Sequence, residues 1–245
     1  MINLVVPMAG LGSRFSKAGY KFPKPLEDLH GKPFFWWSIQ SVAREIKISS
    51  LTCVVLREHV ETFDIDKKVL GYFPDAKFVI LDELSDGALD SAMAGLKSCD
   101  NQEPILINDC DHAFEIKGLP EIVSRLSSGK VDGYLCHFKA DSPAYSYAKY
   151  NKDSGLLEFT AEKEVISELA IAGLYMFRNK QIIESYFEEY KEKCTYNETF
   201  ISGLYNFMAQ DGMLIKGKQL ESHLSFGTPE ELTLAKRNLP YINWE

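Results

Sequence analysis

The stretch LVVPMAGLGSRFSKAGYKFPKPL, residues 4–26, decides the fold that this chain is expected to adopt. The stretch begins inside an apolar, β-branched run at residues 2–8 that is typical of a buried strand. The run ends in Ala9-Gly10-Leu11-Gly12-Ser13-Arg14, where two glycines permit positive φ and a close approach of backbone to a ligand. Free main-chain N–H groups in such a turn form a concavity that binds anions. The candidate ligand-binding residues are Met8, Ala9, Gly10, Gly12 and Ser13.

Two cations follow this turn. Arg14 and Lys24 each add a positive charge, and Lys24 stands between Pro23 and Pro25, which restrict the backbone on either side. The third glycine of a dinucleotide motif is missing, and the GK[ST] of a P-loop does not follow. A strand, a glycine turn and two cations suit a triphosphate, although a flexible loop with solvated basic residues would give a similar pattern.

The composition and the net charge of the chain limit the classes of partner that it is expected to bind. The 245 residues suffice for one elaborated α/β domain, and 45% hydrophobic with 25% charged residues is ordinary for a globular protein. The net charge of −8 and the pI near 5.3 argue against nucleic acid or an anionic membrane as the main partner. Small anions are therefore expected to bind through local cationic pockets.

The chain begins directly with the apolar strand and shows neither a signal-peptide pattern nor an apolar run of membrane-spanning length. We expect a cytoplasmic protein. Its five cysteines lack CxxC or zinc-like spacing and are expected to be reduced core thiols.

Helical and strand patterns alternate along the chain. Residues 34–46, 60–72, 82–99, 116–126, 179–193 and 199–210 favour helices, and residues 51–56, 77–81, 104–108, 133–138, 145–150 and 156–160 favour strands. Such alternation predicts a doubly wound, mostly parallel, Rossmann-like α/β sheet. In such sheets, ligands bind at the carboxyl ends of the strands.

An apolar run at residues 104–108 ends in Asp109-Cys110-Asp111-His112. Carboxylates two residues apart lie on one side of an extended chain. Hard oxygen ligands at this place suit Mg²⁺ or Mn²⁺ bridging phosphates, whereas solvated loop acids are the plain alternative. His112 is expected to be structural rather than a ligand.

Several motifs in order, G-x-G-[ST]-R, P-K-P-L, Glu162-Lys163, the Gly173 strand and Gly227-Thr228-Pro229, resemble the nucleoside-triphosphate transferase family. This family comprises the sugar-nucleotide pyrophosphorylases and their cytidylyltransferase relatives. The resemblance spans residues 9–229 and implies a GT-A-like fold with a small added β substrate region. It implies one nucleotidyltransferase domain over 1–245, with a nucleotide-binding half (1–138) and an acceptor-binding half (139–245).

The resemblance also implies roles for individual residues. Arg14 would bind the departing phosphates, and Lys24 the α-phosphate and the attacking oxygen. Asp111 matches the metal-binding aspartate best, with Asp109 second. The candidate acceptor-binding residues are Lys163, Gly173 and Glu198. The implied reaction moves a nucleoside monophosphate onto a phosphorylated small molecule and releases pyrophosphate.

The chain departs from the family at the base-binding segment. Gly87 and Ala88 match the family's turn, but Asp82 or Glu83 stands where many members have glutamine. A carboxylate only accepts hydrogen bonds, and cytosine presents an exocyclic amino group where uracil and thymine present a carbonyl. This departure favours CTP, whereas simple capping of a helix remains the alternative.

Two further positions depart from the family pattern. Glu164 replaces the proline after Lys163, and Ser225 replaces an aspartate that serves many members as the second metal ligand. The site would then use Asp109 or Glu221, or fewer protein ligands.

The turns NDCDHAF, EKEVIS and SFGTPEEL most resemble cytidylyltransferases of bacterial capsule pathways, including those that act on phosphoglutamine. A sugar-1-phosphate nucleotidyltransferase is the second interpretation. A metal-dependent glycosyltransferase and a non-catalytic nucleotide-binding regulatory protein also stay open. Trp36, Trp37 and Trp244 could serve core packing or an interface, so a homodimer is left open.

Overall fold

The structure is a computed structural model that describes residues 1–100 and 102–238. The strands are β1 (Ile2–Pro7), β2 (Asp28–Leu29), β3 (Lys32–Pro33), β4 (Ile48–Leu56), β5 (Lys77–Leu81), β6 (Ile105–Asn108), β7 (His112–Glu115), β8 (Gly133–Lys139), β9 (Ser146–Tyr150), β10 (Leu157–Glu162), β11 (Leu169–Phe177), β12 (Ile215–Gln219) and β13 (Ser222–Ser225). The helices are α1 (Ser13–Lys17), α2 (Phe34–Ala43), α3 (Arg57–Phe63), α4 (Ile65–Leu70), α5 (Ala88–Leu96), α6 (Leu119–Ser127), α7 (Lys180–Lys193), α8 (Ile201–Gln210) and α9 (Pro229–Asn238). A 3-10 turn covers Lys24–Leu26.

A sheet with both parallel and antiparallel strand pairs forms the centre of the described part of the chain. Strands β6, β1, β4 and β5 lie in this order and pair in parallel. On the other side of β6, β11 pairs with β6 in the antiparallel sense. Strand β11 also pairs antiparallel with β8 and β9, and β12 pairs in parallel with β8. The β9–β10 hairpin extends the sheet. The expected doubly wound, mostly parallel α/β fold is confirmed, with most of the antiparallel pairing in the second half of the chain.

Helices cover both faces of the sheet because the central strands are apolar on both sides. In β1, Leu4 and Val6 belong to one buried cluster, which includes residues of α2 and α6. The intervening Val5 belongs to a second buried cluster, with residues of α5, α7 and α8. Successive side chains of a strand point to opposite faces, so this continuous apolar run fits a central strand of a parallel sheet.

Three strand ends bring the motifs together. Strand β1 ends at Pro7 before the glycine turn, and its neighbour β6 ends at Asn108 before the two aspartates. Strand β5 ends at Leu81 before the loop that contains Gly87. The carboxyl ends of parallel strands lie at one edge of the sheet, and this edge holds the site.

The element bounds differ from prediction in places. The single helix expected at 60–72 is two helices, α3 and α4, separated by Asp64, whose φ of 51° is left-handed and interrupts the helix. The helix expected from residue 82 begins only at Ala88. The short strands β7 and β13 were not predicted, since they pair with each other across the chain and carry little local signal.

Aromatic and sulfur side chains mostly serve the core. Trp37 is buried and donates its indole N–H to the Leu29 carbonyl at 2.8 Å, and Trp36 is half-buried, whereas Trp244 lies outside the described residues. Core packing is therefore confirmed for Trp37. All five cysteines are free, and those that are buried are Cys53, Cys99, Cys110 and Cys136.

Among the residues that the structure describes, no helix combines the length and apolar character needed to cross a membrane.

Candidate functional site

A cavity of about 630 Å³ lies at the carboxyl edge of the sheet. This volume is within the range of small-molecule sites. Both halves of the chain line it. The predicted site residues found in its lining are Met8, Ala9, Gly10, Gly12, Ser13, Arg14, Lys24, Gly87, Ala88, Asp109, Asp111, Lys163, Gly173 and Glu198. The fold thus brings together residues that are far apart in the sequence.

The glycine turn runs directly along the cavity. Gly12 has φ of 58°, in the left-handed region that favours glycine. A Cβ at this position would lie 2.9 Å from the Cβ of Lys24. Helix α1 begins at Ser13, and the exposed Arg14 lies in its first turn on the cavity lining. Gly12 is therefore needed both for the turn and for its contact with the lysine segment.

Lys24 is a half-buried cation that contacts an acid. Its Nζ donates to Oδ2 of Asp111 at 2.8 Å. Burial disfavours the charged lysine, but the neighbouring Asp111 carboxylate outweighs burial and raises the pKa of Lys24. Burial likewise opposes the charged form of Asp111, yet Lys24 lowers the pKa of this carboxyl. Both groups therefore stay ionised at neutral pH, and Lys24 presents a permanent charge to the cavity.

The segment that carries Lys24 is fixed by its neighbours. The N–H of Leu26 donates to the Pro23 carbonyl at 2.8 Å and closes the 3-10 turn. The N–H of Phe22 donates to the buried Glu27 carboxylate at 3.3 Å, and burial raises the pKa of Glu27. The two prolines already indicated in the sequence that the Lys24 segment is rigid. The contribution of Glu27 could not be predicted, because its contact with Phe22 forms only in the folded chain.

Asp109 and Asp111 both reach the cavity, and a glycine backs each of them. A Cβ on Gly173 would lie 2.6 Å from Oδ2 of Asp109, and one on Gly227 would lie 2.6 Å from Oδ2 of Asp111. Burial, and then repulsion by Asp111, raise the pKa of Asp109 to about 7. The two carboxyl groups next to Lys24 therefore repel each other when both are ionised, and Asp109 holds a proton more readily than an ordinary aspartate.

These carboxylates fit a hard divalent cation in part. Among residues 1–100 and 102–238, no cluster of three or more histidine, cysteine, aspartate or glutamate side chains has the geometry of a metal site. Mg²⁺ usually keeps several waters and is bound through one or two carboxylates together with substrate phosphates. Two half-buried carboxylates that repel each other match this donor set. The protein alone would supply Asp111 and Asp109, and phosphate oxygens would complete the coordination.

Other candidates for a further ligand are engaged elsewhere. The Glu221 carboxylate accepts from the Lys117 N–H at 2.7 Å and from the Lys218 ammonium at 2.9 Å, and it does not line the cavity. Ser225 lines the cavity and bonds to the Tyr145 hydroxyl. His112 contacts Asn108 through one ring nitrogen and His223 through the other. His112 also lines the cavity, its expected structural role stays a prediction, and burial lowers the pKa of His112 to about 4.

The second half of the chain lines the cavity with acids and one lysine. Glu162, which the sequence analysis quoted in a motif without giving it a role, is half-buried and is bonded by the Ser146 and Ser202 hydroxyls. Burial raises the pKa of Glu162, although these hydrogen bonds oppose the shift. Lys163 has φ of 55°, a conformation that costs energy for a non-glycine residue, and its Nζ lies 5.4 Å from the Phe200 ring centroid. The strain at Lys163 marks this segment as one that the surrounding structure holds in place.

Tyr145 and Glu231 form a second contact that sequence reasoning missed. The Tyr145 hydroxyl donates to Glu231 at 2.6 Å, and both residues line the cavity. Glu231 also accepts from the Thr228 N–H at 3.0 Å, and its own N–H donates to the Thr228 hydroxyl. This reciprocal pair is a capping box, and its T-x-x-E spacing was present in the sequence. Nothing local predicted the tyrosine contact, because 86 residues separate the partners.

The segment expected to face the base is only partly in the cavity. Asp82 and Glu83 do not line it, and the Asp82 carboxylate pairs with Arg57 at the exposed end of β5. The chain enters the cavity at Leu84 and Ser85 and continues along it at Gly87 and Ala88. The expected contact of Asp82 or Glu83 with a base therefore has no support in this geometry, since neither residue lines the cavity.

Known proteins were compared at the levels of sequence and structure. No protein-family model matches the chain. No curated protein sequence matches it either. Solved structures do match over almost the whole length. The nucleoside-diphosphate-sugar pyrophosphorylase from Vibrio cholerae RC9 is 29% identical, covers 96% of this chain and 99% of its own, and has a TM-score of 0.82.

Two more distant structures share the fold. The inositol-1-phosphate CTP transferase from T. maritima is 15% identical, with 98% of this chain and 95% of that chain covered and a TM-score of 0.78. A candidate glucose-1-phosphate thymidylyltransferase from Bacillus anthracis is 16% identical, with 99% and 97% covered and a TM-score of 0.77. The structures that this chain resembles are nucleotidyltransferases, and the resemblance predicted from its motifs is confirmed.

Proposed function

We propose that this chain is a nucleotidyltransferase that moves a nucleoside monophosphate from a nucleoside triphosphate onto a phosphorylated small molecule, with release of pyrophosphate. One observation carries the proposal: the glycine turn, Arg14 and the Lys24–Asp111 pair line one cavity, at 2.8 Å between the charged atoms of the pair. Glycosyl transfer, the other chemistry that uses neighbouring aspartates and a metal, has no need of the rigid lysine segment. The similarity to a nucleoside-diphosphate-sugar pyrophosphorylase supports the same reaction class.

The reaction balances as an in-line displacement. An oxygen of the acceptor phosphate attacks the α-phosphorus and forms the new P–O bond. The bond from that phosphorus to the α,β-bridging oxygen breaks, and its electron pair leaves with pyrophosphate. The acceptor phosphate is already ionised near neutral pH, so the step needs no general base. Catalysis then rests on holding two anions together and on neutralising charge as it builds.

The cations have separate roles in this proposal. The backbone of Gly10 and Gly12 approaches the phosphates, and the exposed Arg14 binds the departing β- and γ-phosphates. Lys24 binds the α-phosphate and the attacking oxygen. Because Asp111 keeps it protonated and two prolines fix its segment, its charge is preorganised before substrate arrives.

A divalent cation, Mg²⁺ or Mn²⁺, is proposed as the cofactor. Asp111 would hold it, with Asp109 as the second carboxylate. When bound, such an ion would neutralise phosphate charge and orient the phosphates. Burial and then repulsion by Asp111 raise the pKa of Asp109, and this repulsion supports the assignment, because a bound cation would relieve it.

The acceptor is proposed to be phosphoglutamine, as in capsule phosphoramidate biosynthesis. Its amino acid part carries an ammonium and a carboxylate besides the phosphate. The cavity offers the Glu162 and Glu198 carboxylates for the ammonium and Lys163 for the carboxylate. A neutral sugar would use the same carboxylates as hydrogen-bond acceptors. A sugar-1-phosphate acceptor, with UTP, CTP or dTTP as the donor, is therefore the second candidate.

CTP is the proposed donor on the motif resemblance alone, because Asp82 and Glu83 lie outside the cavity lining. Ser225 in place of the usual aspartate is the feature that favours a non-catalytic, nucleotide-binding regulatory protein. We further propose one domain over 1–245, with the nucleotide bound mainly by residues 1–138 and the acceptor by residues 139–245.

Pyrophosphate release tests these proposals directly. The protein is incubated with each of four nucleoside triphosphates, Mg²⁺ or Mn²⁺, and either phosphoglutamine or glucose 1-phosphate. Pyrophosphate with CTP and phosphoglutamine is the expected result. If pyrophosphate appeared only with glucose 1-phosphate, the proposed acceptor would be wrong. If nucleoside diphosphate were released instead of pyrophosphate, the proposed reaction class would be wrong. Calorimetric binding of a triphosphate without product from either acceptor would favour the regulatory protein.

A further inference from the structure

One buried residue, Thr199, joins two loops that line different parts of the cavity. We define the first loop as residues 84–91, which include the first turn of α5, and the second loop as residues 196–201, which end at the first residue of α8. The Thr199 N–H donates to the Asp86 carbonyl at 3.0 Å, and the Leu89 N–H donates to the Thr199 carbonyl at 3.0 Å. The N–H and the carbonyl of Thr199 therefore both bond to backbone groups of the first loop.

Side chains reinforce the same junction. The Thr199 hydroxyl donates to the Asp90 carboxylate. From helix α7, the Lys191 ammonium contacts Asp86 at 2.8 Å and Asp90 at 2.7 Å. The Asp90 side chain is only 12% exposed, so this part of the junction is screened less than a surface ion pair. Thr199, Asp90, Lys191 and Asp86 thus form one connected polar network, which we call the Thr199 clasp.

The fit between the loops is close. A Cβ on Gly87 would lie 2.5 Å from the Thr199 backbone nitrogen and 2.6 Å from its hydroxyl oxygen. These distances are shorter than any side chain tolerates, so the first loop can lie this close only with glycine at 87. The glycine matched a family motif in the sequence, and the clasp supplies a physical reason for it in this chain.

Each loop reaches the cavity beside the clasp. From the first loop, Ser85 and Ala88 line the part proposed to bind nucleotide. From the second loop, Glu198 and Phe200, the neighbours of Thr199 in the chain, line the part proposed to bind acceptor. A displacement of either loop must therefore be transmitted to the other or break the clasp.

We propose that Thr199 is a positioning residue that couples the two substrate sites: nucleotide held at the first loop fixes Glu198 and Phe200 for the acceptor. This inference rests on the proposed function. Coupling between two binding sites is reciprocal, so the acceptor strengthens nucleotide binding by the same factor. Coupling of this kind commonly amounts to roughly 5- to 150-fold in affinity.

The free protein tests whether the clasp is one mechanical unit. Hydrogen–deuterium exchange is measured in the wild-type chain, in Lys191→Met and in Lys193→Met. Lys193 is the matched control, since it lies on the same helix but contacts Glu189 of that helix. Lys191→Met is expected to speed exchange in residues 84–91 and 196–201 together, and Lys193→Met in neither. Faster exchange in one loop alone would overturn the clasp, whether or not the chain binds a nucleotide.

The coupling itself is tested with CTP, UTP, dTTP, ATP or GTP and Mg²⁺, without any acceptor. In the wild-type chain, the triphosphate that binds is expected to slow exchange in residues 196–201 as well as in 84–91. Thr199→Val keeps the shape but removes the hydroxyl, so protection of 196–201 should be lost while 84–91 stays protected. Thr199→Ser keeps the hydroxyl and should restore the protection. Equal protection of 196–201 in Thr199→Val would overturn the coupling.

The two proposals can fail separately. Binding of a triphosphate without protection of residues 196–201 in the wild-type chain overturns the coupling and leaves the proposed function in place. A wild-type chain that binds none of the triphosphates overturns the proposed function and the coupling with it. Where the acceptor is identified, Thr199→Val should raise the acceptor KM at least about fivefold with a smaller change in kcat. A purely structural role would lower stability without this split.

Discussion

The side of the cavity proposed to bind phosphates, the phosphate side, and the side proposed to bind the acceptor, the acceptor side, are built in different ways. The phosphate side comes mainly from one short stretch, in which a glycine turn, Arg14 and Lys24 follow a single buried strand. The acceptor side is assembled from separate segments of the chain, which contribute Tyr145, Glu162, Glu198 and Glu231. The residue types of the phosphate side are therefore visible in one stretch of sequence, whereas those of the acceptor side are brought together only by the fold.

The two sides also differ in charge. The phosphate side carries the Arg14 and Lys24 cations, and the acceptor side carries the Glu162 and Glu198 carboxylates with Lys163. Asp109 and Asp111 lie where the sides meet. In the proposed mechanism, the cations of the phosphate side promote the transfer from the triphosphate, and the acceptor side selects the acceptor. Substitutions on the two sides should accordingly change different kinetic constants.

The largest effect is expected for Lys24→Ala on the phosphate side. It removes a preorganised cation and leaves the half-buried Asp111 without its ion pair at 2.8 Å. We expect kcat to fall roughly 10²-fold or more, as for the loss of one preorganised group that stabilises transition-state charge. Steady-state release of pyrophosphate measures this. Lys21→Ala, an exposed lysine of the same stretch, is the control, and near-normal turnover of Lys24→Ala would contradict the assigned role.

These contrasts explain what the sequence could predict. The strand at residues 2–8, the glycine turn and the Lys24 segment depend on local backbone preferences, so their positions followed from the residues themselves. The alternation of strands and helices predicted the parallel half of the sheet for the same reason. Helix breaks such as Asp64, with φ of 51°, depend on packing and were missed.

The parts of the site that were missed depend on contacts between distant residues. Glu162 was given no role because its burial and its contacts with Ser146 and Ser202 exist only in the folded chain. Asp82 was expected near the base on a motif match, but it pairs with Arg57 at the exposed end of β5 and does not line the cavity. A carboxylate's neighbours, which a single sequence does not reveal, decide whether it faces a ligand or solvent.

A smaller effect is expected where the two sides meet, for Gly173→Ala. The added Cβ would press on Asp109 at 2.6 Å, and the backbone at φ 73° disfavours alanine. We expect turnover to fall roughly tenfold, because small displacements of catalytic groups are costly. Gly155→Ala is the matched control, with φ of 66° but no atom within 4 Å of the added Cβ.

Gly155→Ala should lose about 1 kcal/mol of unfolding free energy in urea, since it places alanine in left-handed backbone, and Gly173→Ala should lose more, since the contact with Asp109 adds to the same backbone strain. Turnover should fall only in Gly173→Ala. If turnover fell equally in the two variants, backbone strain rather than the contact with Asp109 would be the cause, and the proposed role of that carboxylate would lose its support.

The smallest effect is expected on the acceptor side, for Glu162→Gln. Loss of one partly exposed charge that faces an acceptor ammonium should raise the acceptor KM roughly fivefold, about 1 kcal/mol, with the nucleotide KM unchanged. Burial raises the pKa of Glu162, so its carboxylate protonates at a higher pH than an ordinary glutamate. In the wild-type chain the acceptor KM should therefore rise as the pH falls through that range, and Glu162→Gln should flatten this dependence. Glu164→Gln, exposed and two residues along the chain, is the control. An unchanged pH profile in Glu162→Gln would mean that the acceptor carries no cation at this position, which would favour the sugar phosphate over the amino acid.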